Sequence, residues 1–96
     1  MNKEEIKNIL SSQLSFLKEK YHVKKLGIFG SVVRNEAKED SDVDVMVEFE
    51  SPIGFFEFIR LENFLSEKIQ QKVDLVSTKA IKPIIKNDIL KETIYV

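Results

Sequence analysis

The sequence predicts an α/β (α+β) domain: a small mixed sheet of three to four strands flanked by helices. Three observations carry that expectation. Two long stretches, residues 3–20 and 55–69, repeat apolar residues every three or four positions, the period of a one-sided helix. Three short runs, KLGIF at 25–29, VDVMVEF at 43–49 and VDLV at 73–76, are β-branched or alternating and are bounded by turn residues. The connection between the first two runs is short, which favours an antiparallel pair, since a parallel crossover usually needs about a dozen residues or more.

The elements follow in order. Ile6, Ile9, Leu10, Leu14, Leu17 and Tyr21 form the apolar face of the first helix. Asn2 is placed to cap it, and Glu4 and Glu5 complement the dipole in its first turn. His22 falls in a connection with no evident partner, as a solvated or lightly packed side chain. The run at 25–29 stops at Gly30, and Ser31 to Glu36 reads as a short helix starting there. Residues 37–41 form a polar loop before the second strand. Ser51, Pro52 and Gly54 then break the chain. Phe55, Phe58, Ile59, Phe64, Leu65 and Ile69 are the expected buried side of the second helix, while Phe56 is either exposed or part of a partner interface. After the third strand, residues 80–92 read as a last helix, with Pro83 tolerable only in its first turn. Lys79, Lys82 and Lys86 lie along one side of it, a solvated face or a surface for an acidic partner. Residues 94–96 form an edge strand or an ordered tail.

Ninety-six residues leave room for one modest core, so a single domain over 1–96 is expected. Hydrophobic residues at 43% and charged residues at 32% argue against disorder. A net charge of -1 excludes a generic polycation that binds nucleic acid by charge alone. With no cysteine and one histidine, disulfide frameworks, zinc fingers, thiol nucleophiles and multi-histidine metal sites are excluded. No apolar run is long enough to span a bilayer, and the acidic, amphipathic MNKEEIKNIL is unlike a secretory signal. A soluble cytoplasmic domain is the expectation.

The chemistry concentrates in GSVVRNEAKEDSDVDVMV, residues 30–47. A strand that ends in Gly30-Ser31 and opens a helix presents backbone N–H groups at a positive dipole end. Glycine allows a phosphate to approach closely, and the Ser31 hydroxyl adds a donor. Arg34, one turn on, reaches a phosphate oxygen or an internal carboxylate, or simply pairs with Glu36, Glu39 or Asp40 at the surface. Asp42 and Asp44 are two apart in a strand and point to one face. Two ionised carboxylates so close repel each other, and a divalent cation removes the conflict. Oxygen-only ligation suits magnesium or manganese. Taken alone, the pair also suits turn and capping positions. Asp74 lies inside the apolar VDLV run. It is either an edge-strand residue facing solvent or a third carboxylate beside the pair, ligating metal or accepting a proton.

Gly30-Ser31, ten intervening residues, then Asp42-Val43-Asp44 resembles the signature of the DNA polymerase β-like nucleotidyltransferase superfamily. Arg34, the later VDLV and the short length resemble its minimal nucleotidyltransferase (MNT) branch. The resemblance covers nearly the whole chain, from Lys25 onward. Val33 and Asn35 depart from the small residues common around that arginine, which bears on the path of the loop.

The resemblance implies the polymerase β-like fold and transfer of a nucleoside monophosphate from a nucleoside triphosphate, with ATP the expected substrate. It implies nucleotide binding by Gly30, Ser31 and Arg34. Metal binding and catalysis would fall to Asp42, Asp44 and Asp74. It also implies a partner, since many minimal members are antitoxins paired with a small helical RNase toxin of the HEPN class, some adding AMP to it. The expected assembly is a hetero-oligomer with that toxin or a homo-oligomer, without membrane or direct nucleic-acid binding. Two other functions compete: an antitoxin that neutralises by binding alone, and an enzyme modifying a small molecule such as an aminoglycoside. Masking requires none of Ser31, Asp42, Asp44 and Asp74, and a chain this short has no evident second domain for a small acceptor. Both points favour transfer to a protein.

Overall fold

The computed structural model describes residues 2–96. Its elements are α1 (Lys3–Tyr21), β1 (Val23–Phe29), β2 (Val43–Phe49), α2 (Phe55–Ile69), β3 (Val73–Ser77), α3 (Pro83–Glu92) and β4 (Ile94–Tyr95). Single 3-10 turns occupy Gly30–Val32 and Thr78–Ala80. The strands lie in the order β3-β2-β1-β4. β1 is antiparallel to both β2 and β4, and β2 is parallel to β3. The sheet is therefore mixed, as the short first connection implied.

Each long helix begins and ends for local reasons. Asn2 caps α1, its Oδ1 accepting from the Glu5 amide at 2.9 Å. His22 closes the helix in a left-handed conformation (φ 58°), donating its N–H to the Leu17 carbonyl. Gln70 closes α2 in the same way, bonding to Ser66. Pro83 opens α3 in its first turn, where a missing N–H costs nothing.

Alternation along β2 divides the sheet into two faces. Val43, Val45 and Val47 are fully buried, with Leu26, Ile28, Val73 and Leu75 beside them. Ile6, Leu10 and Leu17 of α1 and Leu61, Leu65 and Ile69 of α2 complete this core. Asp44, Met46 and Glu48 point the other way, where α3 buries none of its residues.

Four expectations need correction. The short helix at 31–36 is a single 3-10 turn over Gly30–Val32, closed by Asn35 at φ 60° and a Glu36 N–H to Ser31 carbonyl bond of 2.8 Å. Asparagine tolerates that left-handed conformation, which accounts for Asn35 in the loop. The last helix starts at Pro83 rather than residue 80, because Thr78–Ala80 is a separate 3-10 turn. Lys79 and Lys82 therefore lie outside α3, with only Lys86 within it. Phe55 is not core: it is 73% exposed in the first turn of α2, its ring 5.8 Å from that of Phe56. The inward stripe of α2 runs instead through Leu61, which was not among the expected core residues, then Leu65 and Ile69, with Phe58 packed partly against it.

Candidate active site

The site assembles where β1 ends and β2 and β3 begin. Phe29, the last residue of β1, is the register partner of Asp44. The turn at Gly30 therefore leaves the sheet directly beside that carboxylate. Gly30 adopts φ +77°, and a Cβ there would collide with Asp44 Oδ2. Only glycine suits both the conformation and the space.

The parallel pairing of β2 and β3 sets Asp44 opposite Asp74. Val43 donates its N–H to the Lys72 carbonyl at 2.9 Å, which fixes this register at its first rung. Asp42 stands one residue ahead of β2, its Oδ2 3.8 Å from Lys72 Nζ. Burial, then the charges of Asp74 and Asp42, raise the Asp44 carboxyl above the ordinary carboxylate value. Arg34 partly offsets them, and Glu92 adds to them.

Asp74 is exposed on an edge strand. The burial cost anticipated for it does not arise, and the solvent-facing and site-facing alternatives describe one position. Its strand is held from behind by α2. Glu62 Oε2 accepts the Leu75 amide at 2.9 Å, and Ser66 Oγ accepts the Val73 amide at 3.0 Å. The edge amides that flank Asp74 are thereby satisfied and the edge is closed to stray pairing.

Ser31 sits partly buried in the 3-10 turn beside Gly30. The amide of Gly30, expected to be free, is not: it donates to Glu92 Oε1 at 2.9 Å. Arg34 Nη1 donates to both Glu92 oxygens at 3.1 Å, and its Nε donates to Glu36 Oε1 at 3.2 Å. Of the surface partners weighed for Arg34, Glu36 is one. Glu92, 58 residues away, was not foreseen. One sequence signal pointed to it: an acidic residue in the last turn of a helix opposes the macrodipole, so something else must hold it there.

The donor set is oxygen-only. Among the described residues no three His, Cys, Asp or Glu side chains form a ready-made metal cage. What the fold provides is two carboxylates in register, a third just ahead of them, and an Asp44 whose charge is incompletely balanced. These residues fit a hard divalent cation that completes its shell from substrate phosphates. On the same sheet face, a cleft of ≈ 260 Å³ lined by Lys25, Met46, Glu48, Lys86, Leu90 and Tyr95 continues along β2 from Asp44. A more apolar groove of ≈ 300 Å³, with Phe49, Phe55 and Phe58 in its wall, lies at the far end of β2, away from the carboxylates. Among the described residues no helix is long and apolar enough to cross a membrane.

Comparison with known proteins agrees with this geometry. The nucleotidyltransferase domain family model matches residues 10–96. The chain is 44% identical over 93 residues to the protein adenylyltransferase MntA of Thermococcus cleftensis, covering 97% of this chain and 94% of the relative. A solved structure named provisionally as a minimal nucleotidyltransferase superposes with a TM-score of 0.83 at 33% identity, covering 98% of this chain and 95% of that one. An MNT antitoxin solved in complex with a tri-AMPylated HEPN toxin of Shewanella oneidensis superposes with a TM-score of 0.68 at 14% identity. It covers 94% of this chain and 70% of the other, and the likeness is one of fold.

Proposed function

The chain belongs to the nucleotidyltransferase domain family and is a nucleotidyltransferase, and from that premise we propose that it transfers AMP from ATP to a hydroxyl of a HEPN-type toxin, acting as its antitoxin. The observation that carries the reading is the register of Asp44 with Asp74, with Asp42 just ahead of them and the Gly30 turn alongside. The relative's name supplies the protein acceptor, and the Shewanella complex supplies the class of partner.

The roles follow from position. The Ser31 hydroxyl, the turn amides and Arg34 bind the distal phosphates. Asp42 and Asp44, with Asp74 beside them, are the residues that would hold magnesium or manganese, which when bound neutralises charge building on the α-phosphate. The acceptor hydroxyl approaches the open face of the sheet. Its oxygen forms the new bond to the α-phosphorus, the bond to the bridging oxygen of the β-phosphate breaks, and pyrophosphate leaves with that electron pair. The reading assigns the hydroxyl proton to Asp74, and its exposure at the sheet edge supports that role. The Phe55–Phe56 pair, 73% and 75% exposed, is a surface for the protein partner.

The test is incubation with labelled ATP and magnesium, with and without the product of the neighbouring gene, followed by intact mass of both chains. AMP units should appear on the partner. They should fall at least about a thousandfold in rate with Asp42→Asn/Asp44→Asn, the scale of removing essential transition-state electrostatics, while that variant keeps its fold. Undiminished transfer by the double variant would sink the mechanism. A tight complex with no mass change, after other triphosphates and manganese are tried, would favour neutralisation by binding alone.

A further inference from the structure

Glu92 occupies the donors that a triphosphate needs. Its Oε1 accepts the Gly30 amide at 2.9 Å, and both its oxygens accept from Arg34 Nη1 at 3.1 Å. A carboxylate that takes a turn amide and a guanidinium together presents the same acceptor pattern as a phosphate. The helix that carries the contact is lightly packed, with Lys86, Ile89, Leu90 and Glu92 only partly buried. α3 buries none of its residues, and its first turn has no side-chain cap. Ile84, near its start, is 87% exposed.

We infer that Glu92 is an internal competitor for the phosphate cradle, which incoming triphosphate must displace before Gly30 and Arg34 can bind it. The inference rests on the nucleotide-site reading above. Its energetic logic is that of a partly populated competent state: measured affinity is lowered by the fraction of molecules in which the donors are free. Displacement also loosens the last turn of α3, the end nearest the site, while β4 beyond it stays paired with β1. Glu92 thus sets the ATP concentration at which the site fills.

The experiment compares ATP binding to the full chain and to Glu92→Gln by calorimetry with magnesium, with AMP as a second ligand. Glu92→Gln keeps the shape and an amide acceptor but loses the charged pair with Arg34; Glu92→Ala removes both. Competition predicts that ATP binds about threefold or more tightly to both variants. AMP, which lacks the distal phosphates, binds all three chains alike. In the wild-type chain, ATP should also speed hydrogen exchange in the last turn of α3. If Glu92 instead positions Arg34 for substrate, both variants bind ATP more weakly, and that result overturns the inference. Equal ATP affinity in all three chains overturns it as well, leaving the nucleotide site intact. Absence of ATP binding to every chain would fail the nucleotide-site reading and the inference together.

Discussion

On one face of β2, Val43, Val45 and Val47 lie fully buried beneath α1 and α2; on the other, Met46 is buried but Asp44 and Glu48 on either side of it stay partly exposed, and α3 has no fully buried residue of its own. The two sets are alternate residues of one seven-residue strand. The apolar face supplies the stability, at about 1.5–3 kcal/mol for each fully buried aliphatic side chain. The other face uses the backbone so fixed to hold carboxylates near one another against their repulsion. A site that strains electrostatically is therefore placed a single residue away from the most firmly packed positions in the molecule.

That contrast can be broken or sharpened by substitution. The largest stability effect is expected on the apolar face. Leu65→Ala should lower stability by about 2–5 kcal/mol, read as a reduced midpoint in urea with little change in slope. A loss comparable to that of an exposed residue would mean that α2 does not carry the core.

A smaller loss of stability and a larger loss of function are expected where the faces meet the turn. Gly30→Ala must accept a left-handed conformation, at about 1–2 kcal/mol, and it pushes the Asp44 carboxylate aside. Transfer should fall more than about tenfold, more than one unit of 1.4 kcal/mol in the barrier, while circular dichroism stays native. Full activity in that variant would show that the close approach of turn and carboxylate has no role.

The smallest effect is expected from Asp44→Asn on the metal-free chain. Burial and the neighbouring Asp74 and Asp42 raise the Asp44 carboxyl in the folded state. The folded chain thus holds that proton more tightly than the unfolded one, so wild-type stability falls as pH rises from the ordinary carboxylate value through the raised one. With a chelator present, Asp44→Asn should be more stable than wild type at pH 7, by less than about 1 kcal/mol for a group in contact with water. The advantage should shrink as pH falls through the raised value and vanish below the ordinary one. Thermal melts at several pH values check this, and an advantage that grew on acidification would reverse the assignment.

Much of this arrangement was legible in local pattern. The six apolar positions of α1, the boundaries of β2 and α2, and the cap at Asn2 all follow from period and residue type, because each depends on neighbours within one or two turns. Asp42, read as the first carboxylate of β2, stands one residue ahead of it. Phe55 was misjudged because helical spacing identifies a face but not where the sheet beneath it ends. The helix expected at 31–36 is only a single turn because Gly30 opens it and Asn35 closes it, both at positive φ.

By itself, the sequence determined the inward faces of α1 and β2 and which residues carry charge, since a period of two or of three to four needs no knowledge of distant chain. Only the tertiary structure decided that Asp44 and Asp74 share a rung, that Glu62 and Ser66 hold the edge strand, and that Glu92 reaches Gly30 across 62 residues. Those contacts join segments whose local patterns are independent of one another. Strand order, parallel register and the packing of helices on one face bring them together, and the bonds that define the site exist only once the chain has closed on itself.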